Sequence, residues 1–132
     1  MSYPKLQNVI IYTNKIFRSF YDELMSNETF SDYFGSKEQI SELLEKQKQN
    51  FLDSILEDEE SFNHRFLKLG DLHFKIGIPY EIFLAGSKIL NKKFVNVVIN
   101  ENIGTDTILE INEYFEKSME LMAKGYLMAF VK

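Results

Sequence analysis

Residues 65–86 read RFLKLGDLHFKIGIPYEIFLAG, with a histidine at position 73. The apolar residues before Gly77 recur every three or four positions, which is the period of one face of an α-helix. Gly77 and Pro79 predict that this helix ends and that another begins, because glycine favours the end of a helix and proline its first turn. His73 therefore belongs to an apolar stripe near the C-terminal end of a helix. The stripe consists of Phe62, Phe66, Leu69, His73 and Ile76.

A histidine on an apolar helix face has two ordinary explanations. The more frequent one is a core histidine whose ring nitrogens bond to a carbonyl or a hydroxyl, and periodicity alone favours it. The other is a ligand to a flat, apolar metal cofactor, because haem iron is commonly held by such an imidazole. The second histidine, His64, lies four residues from both Glu60 and Lys68, which is typical of a solvated surface position.

The composition predicts a single domain over residues 1–132. A chain of 132 residues is long enough to form one hydrophobic core. Its net charge of -5 disfavours nucleic acid and anionic membranes as partners. No apolar run reaches the roughly 18 residues of a membrane span, and the N-terminus lacks the apolar segment of a secretory signal. We therefore expect a cytoplasmic protein.

The chain contains no cysteine. This excludes a disulfide, a thiolate zinc site, a cysteine nucleophile and a haem attached through a Cys-x-x-Cys-His link. No pair of carboxylates and no nucleophile with a neighbouring base stands out, so we expect a binding module and not an enzyme. The 12 Phe and 7 Tyr residues suit a pocket for a large planar ligand as well as an ordinary core.

Helical periodicity recurs along the whole chain and predicts an all-α fold. Only two prolines and six glycines interrupt it. The breaks delimit five helices, and the last two are long for a domain of this size. The predicted helices span about 4–26, 36–57, 57–77, 79–100 and 107–130.

One amide interrupts the apolar stripe of the second predicted helix. Gln47 occupies a position that the period reserves for an apolar residue, between Leu44 and Phe51. A boundary residue that bonds to a nearby backbone group is the usual explanation for such an amide. The helix itself is predicted to begin at Ser36, because Ser36 and Gln39 have the spacing of a capping box.

The last predicted helix is apolar on more than one side. One apolar stripe runs along it, while Leu121, Met128 and Val131 lie elsewhere on its surface. Such a helix is covered on two sides, either by its own domain alone or by its domain and a second copy of the chain. Together with the helix before it, this pattern predicts a homodimer through the last two helices.

These residues resemble the globin domain of bacterial globin-coupled sensors. The resemblance covers most of the chain and is strongest over residues 69–86, where His73, three residues, Gly77 and an aromatic in the next helix match the family's proximal histidine signature. Phe20 and Tyr21 resemble the family's Phe-Tyr pair, in which the tyrosine faces the gas. The second predicted helix resembles the family's distal helix. The segment before Val9 is shorter than in many members.

The resemblance implies a globin-like fold of about five to seven helices that binds haem b without a covalent link. His73 would be the proximal ligand of the haem iron, and Tyr21 would donate its phenolic O–H to the gas. Apolar residues would line the two sides of the haem. The expected distal residues are Phe17, Phe34, Ile40, Leu43, Leu44 and Phe51, and the expected proximal residues are Phe62, Phe66, Leu69, Ile76, Phe83 and Leu84.

The same resemblance implies that the chain senses O2, or alternatively CO or NO. It would be the N-terminal module of a longer signalling protein and would act on a C-terminal output domain such as a diguanylate cyclase or a chemotaxis transducer. A haem-free globin relative that serves only protein contacts is the alternative function. The presence of both His73 and Tyr21 argues against that alternative.

Overall fold

The computed structural model describes residues 3–132. This part of the chain forms a short 3-10 segment and six α-helices and contains no strand, which confirms the predicted all-α fold. None of the helices in it is both long enough and apolar enough to cross a membrane. The 3-10 segment spans Pro4–Tyr12, and the helices are α1 (Thr13–Met25), α2 (Glu28–Ser31), α3 (Lys37–Ser54), α4 (Glu59–Lys75), α5 (Tyr80–Asn100) and α6 (Thr105–Phe130).

The N-terminal part of the fold differs from the prediction of one continuous helix over 4–26. Residues Pro4–Tyr12 form a 3-10 segment, and the α-helix starts only at Thr13. Leu6 and Val9 are both fully buried, and their spacing of three residues matches the three residues per turn of a 3-10 helix. The segment thus directs both side chains into the core from one side.

Helix α2 was not expected from the sequence. It is a single turn whose first backbone groups are capped by Asn27, which accepts a hydrogen bond of 2.9 Å from the backbone N–H of Thr29. Its Phe30 is buried in the core. A turn of four residues is too short to produce a periodic pattern, so Asn27 is the only local signal that precedes it.

Helix α3 begins as predicted. The Ser36 hydroxyl accepts from the backbone N–H of Gln39 at 3.3 Å, and the Gln39 side chain accepts from the backbone N–H of Ser36 at 2.9 Å. These two bonds form the capping box. Helix α6 begins at Thr105, two residues before the predicted start.

Helices α4 and α6 pack more extensively than any other pair in the described chain. Their backbones meet at two glycines. A Cβ atom on Gly70 would lie 2.1 Å from the carbonyl oxygen of Met122, and one on Gly125 would lie 2.2 Å from that of Leu67. Only glycine fits at both positions, and so this crossing fixes the position of α4, the helix that carries His73.

An aromatic cluster around Tyr114 fills the core between α3, α4 and α6. The ring of Tyr114 lies 5.5 to 6.0 Å from those of Phe51, Phe62 and Phe66. Its hydroxyl is 2.6 Å from that of Ser54, which in turn donates to the carbonyl of Phe51 at 2.8 Å. Tyr114 is therefore the donor to Ser54, and the buried polar atoms of this cluster are satisfied.

Candidate functional site

His73 lies in the last turn of α4, with its ring against the ring of Phe83 at 5.2 Å. Its Nδ1 atom is 2.6 Å from the carbonyl oxygen of Leu69, one turn earlier. Burial lowers the pKa of His73 below its ordinary value, against a smaller opposite effect of this hydrogen bond, so the neutral ring is favoured. Because a carbonyl can only accept, Nδ1 carries the proton and Nε2 keeps a free lone pair.

The turn after His73 holds its backbone in place. Gly77 has a positive φ of 88°, a backbone conformation that residues other than glycine rarely adopt. The N–H of Ile78 donates to the carbonyl of His73 at 3.1 Å, and the N–H of Gly77 donates to that of Phe74 at 3.1 Å. These two bonds form a Schellman motif, which ends α4 at the predicted position.

A mainly apolar cavity of about 230 Å³ lies between α1, α3, α4, α5 and α6, and the His73 ring forms part of its wall. Tyr33 and Ile76 also belong to the wall, and their side chains are 43% and 63% exposed, so the cavity reaches solvent beside them. This opening gives a ligand a route to His73. Polar side chains are few among the lining residues: Tyr21, Tyr33, Gln47, Asn50, His73, Ser87, Ser118 and Tyr114.

Tyr21 reaches this cavity from α1 and is 5% exposed. Its ring packs edge to face on Phe20 at 5.0 Å and on Phe34 at 5.9 Å. Burial raises the pKa of Tyr21 well above its ordinary value, so the phenol keeps its proton. Its hydroxyl makes no hydrogen bond to the part of the chain that the structure describes, and it is therefore a free donor at the cavity.

The structure brings most of the predicted site residues to this one cavity. Ile40 and Leu44 are partly buried against the core but lie outside the cavity wall. Leu43 and Phe51 occupy the face of α3 that meets the cavity. Phe62 lies deeper, in the aromatic cluster, and Leu84 is half-buried away from the wall. The exposed His64 is also outside it. The predicted residues on the wall are Phe17, Tyr21, Phe34, Leu43, Phe51, Phe66, Leu69, His73, Ile76 and Phe83.

Apart from Phe83, the sequence analysis missed the part of the wall that α5 and α6 supply. On α5 the signal was a spacing of four residues at Ile82, Gly86 and Leu90. On α6 one apolar stripe was recognised, but it does not distinguish a cavity wall from a dimer interface. The missed lining residues of these two helices are Ile82, Gly86, Ser87, Leu90, Phe94, Tyr114, Phe115, Ser118 and Met122.

Gln47 is half-buried and lines the cavity from α3. The backbone partner expected for it is not found, since its amide makes no hydrogen bond to any residue in the range 3–132. Asn50, one turn further along α3, does have a partner, because its Oδ1 atom accepts a hydrogen bond from Nη1 of Arg65 at 3.0 Å.

Comparison with known proteins identifies the family of the chain. The family model described as Protoglobin matches residues 11–128, which include both Tyr21 and His73. No curated protein and no solved structure matches the chain. The matched range covers more than half of the sequence and six helices of the fold. The chain therefore belongs to the protoglobin family, the globin domain of the globin-coupled sensors.

Proposed function

We propose that the chain binds haem b without a covalent link and senses a diatomic gas, O2 in the first place. The observation that carries this proposal is the arrangement of His73. A neutral imidazole, anchored through Nδ1 on the carbonyl of Leu69, forms part of the wall of an apolar cavity that Tyr21 also lines. An imidazole held in this way is suited to bind iron, because the second hydrogen bond fixes its tautomer and its orientation.

The residues of the cavity fit a haem better than a bare metal ion. No group of three or more His, Cys, Asp or Glu side chains that could hold an ion occurs within residues 3–132. A haem needs one axial nitrogen, apolar and aromatic walls, and an opening for its charged edge. His73, the ring of Phe83 and the solvent-exposed rim beside Ile76 supply these three features.

When bound, the haem would supply an iron atom that coordinates the gas. The residues of this chain would hold the haem, exclude water and contact the gas. His73 would hold the group through Nε2, and the carbonyl of Leu69 keeps the imidazole ring in one orientation. Phe17, Phe51 and the other apolar side chains of the wall exclude water, which protects a reduced iron from oxidation. Tyr21 would offer its O–H as a hydrogen-bond donor on the side of the cavity where the gas binds.

Absorption spectra of the reconstituted protein test this proposal. Purified protein is titrated with haem and recorded in the ferric and ferrous states, then with O2 and with CO. A stoichiometric Soret band that shifts with each gas is the expected result. If the protein takes up no haem, the haem-free interaction module becomes the better description of the chain.

Replacing Tyr21 with phenylalanine should weaken O2 binding about tenfold, because one sheltered hydrogen bond to a polarised ligand contributes about 1.4 kcal/mol. Bound CO carries less negative charge and gains less from the same donor, so its affinity should change much less. Equilibrium titrations of both gases on the ferrous protein measure the two affinities.

Tyr12→Phe is the matched control for this substitution. Tyr12 is a half-buried tyrosine that lies outside the cavity, where its hydroxyl donates to Glu101 at 3.4 Å. Its removal should leave both gas affinities at the wild-type values. An O2 affinity of Tyr21→Phe equal to that of the wild type would remove Tyr21 from the gas site.

We further propose that the domain is a homodimer through its last two helices and acts on an output domain. Both helices carry large apolar side chains that the described chain leaves exposed, among them Ile99 on α5 and Leu109 and Leu127 on α6. A second copy could cover these side chains and relay a shift of α6. Light scattering should give the mass of two chains, and the mass of one chain would contradict this assembly.

A further inference from the structure

Tyr126 connects helix α6 to the turn that follows His73. Its side chain is 7% exposed, and its hydroxyl donates to the carbonyl oxygen of Ile78 at 3.0 Å. Ile78 lies between α4 and α5, and its own N–H donates to the carbonyl oxygen of His73 at 3.1 Å. Burial raises the pKa of Tyr126 to about 12, so the phenol keeps the proton that it donates. Two hydrogen bonds in series therefore join α6 to the backbone of His73.

The ring of Tyr126 makes a second connection to the same histidine. Its centroid lies 5.3 Å from that of Phe83, and the centroid of Phe83 lies 5.2 Å from that of the His73 imidazole. Both phenyl rings of this row are buried. Because a protein interior is close-packed, a displacement of one ring is passed to the next. Helix α6 thus supports the side chain of His73 through Phe83 and its backbone through Ile78.

The glycine crossing of α4 and α6 lies directly beside these connections. Gly125 precedes Tyr126 in the chain, and a Cβ atom on it would lie 3.0 Å from the Cα atom of Gly70, three residues before His73. The two backbones already touch there, so they cannot approach any further. Tyr126 is therefore attached close to the point at which α6 meets the histidine helix.

The simpler explanation of the bond to Ile78 is a buried tyrosine that satisfies a nearby carbonyl. It does not account for a ring and a hydroxyl that both lead to the same histidine. The neighbouring Tyr80 shows the difference. Its ring lies 5.3 Å from that of Tyr126, but its side chain is 38% exposed and its hydroxyl makes no hydrogen bond to any described residue. Of these two tyrosines, only Tyr126 bonds to the turn.

We propose that Tyr126 is a positioning residue for His73, through which helix α6 controls the bond between the imidazole and the haem iron and hence the affinity for the gas. This inference rests on the proposed haem function of the cavity. Tyr126 holds the imidazole in one orientation, and a shift of α6 acts on it through Ile78 and Phe83. Linkage makes the coupling reciprocal, so gas binding also biases the position of α6. The exposed Leu127, next to Tyr126, would present that shift to a partner.

Tyr126→Phe tests the inference, because it removes the bond to Ile78 and keeps the ring. In the haem-free protein the amide hydrogen of Ile78 should exchange about fivefold faster, in line with the loss of one neutral hydrogen bond from the turn. NMR-detected hydrogen exchange measures this rate.

The haem-loaded protein gives two further readouts for Tyr126→Phe. The iron–histidine stretching band of the ferrous protein, measured by resonance Raman spectroscopy, should broaden, because the imidazole of His73 then adopts a range of orientations. The affinities for O2 and CO should both fall about threefold, since the loss of part of one hydrogen bond acts through the iron and not on one gas.

Tyr80→Phe is the matched control. It removes a hydroxyl from the same aromatic group, but one that does not bond to the turn, and it should leave the Ile78 exchange rate, the stretching band and both gas affinities unchanged. Tyr126→Leu removes the ring as well as the hydroxyl, so Phe83 loses its support. That variant should show a broader band and a larger loss of both gas affinities than Tyr126→Phe.

These measurements separate the inference from the proposed function. If the wild-type protein binds haem and O2, but Tyr126→Phe lowers only the free energy of unfolding and keeps the band and both affinities, Tyr126 has a structural role alone and only the inference falls. A loss of O2 affinity without a loss of CO affinity would also overturn it, because the effect would then lie at the gas and not at His73. If the wild-type protein takes up no haem, both fall together. Faster exchange, a broader band and equal losses for the two gases support both.

Discussion

Replacing His73 with alanine should lower the haem affinity more than about 100-fold, because it removes the proposed iron ligand itself and not merely a group that orients it. The ferric and ferrous Soret bands of the reconstituted wild-type protein should be lost, or displaced to the positions of free haem. Titration of each protein with haem, followed at the Soret maximum, measures the effect. Circular dichroism at the same time establishes that the helices are retained.

The expected size of this effect follows from how the ring is held. The Nδ1–H of His73 donates to the carbonyl of Leu69, and the Schellman turn at Gly77 fixes the backbone from which the ring projects. The ring is therefore oriented before the ligand arrives, and little entropy is lost on binding. Since burial also lowers the pKa of His73, little free energy is needed to remove a proton before iron binds.

Two further variants make this prediction specific. His64→Ala removes the other histidine, which is exposed and lies outside the cavity, and it should bind haem as the wild type does. His73→Gly leaves space for free imidazole, and addition of imidazole should restore a wild-type-like spectrum. Unchanged ferric and ferrous spectra in His73→Ala would show that another residue holds the iron.

The segment around His73 shows what local sequence can predict. Spacing alone places the ring on the apolar side of α4, and Gly77 with Pro79 predicts the end of that helix. The structure confirms the helix end. These features are determined by residues a few positions apart in the sequence. The φ of 88° at Gly77, for example, is a backbone conformation that glycine adopts without strain. The family resemblance could therefore be recognised from residues 69–86.

Features that depend on distant contacts could not be predicted in the same way. Periodicity shows that Ile40, Leu43 and Leu44 are all on the apolar side of α3, but only Leu43 reaches the cavity. Which apolar side chains meet a cavity and which meet a neighbour is decided by helix crossings. One of these crossings depends on Gly70 and Gly125, which lie 55 positions apart in the sequence and carry no local signal of their contact.

Gly125→Ala should lower the free energy of unfolding by about 3 kcal/mol, near the upper end of the usual cost of overpacking. The new Cβ atom would lie 2.2 Å from the carbonyl oxygen of Leu67, 2.9 Å from the backbone nitrogen of Asp71 and 3.0 Å from the Cα atom of Gly70. All three are backbone atoms that cannot rotate away. Helices α4 and α6 must therefore separate, and the loss exceeds the gain of about 1 kcal/mol that alanine brings to a helix interior.

Urea unfolding of the haem-free protein, followed by circular dichroism, measures this effect, and Gly86→Ala is the matched control. Gly86 also lies inside a long helix, but the nearest atom to its new Cβ would be Cε1 of Phe30 at 4.0 Å, an ordinary contact. That variant should gain up to about 1 kcal/mol from helix propensity. Equal stabilities of Gly125→Ala and Gly86→Ala would contradict the backbone contact. Because Gly70 directly follows Leu69, separation of the helices should also move the carbonyl that orients His73, and Gly125→Ala should then bind haem more weakly than the wild type does.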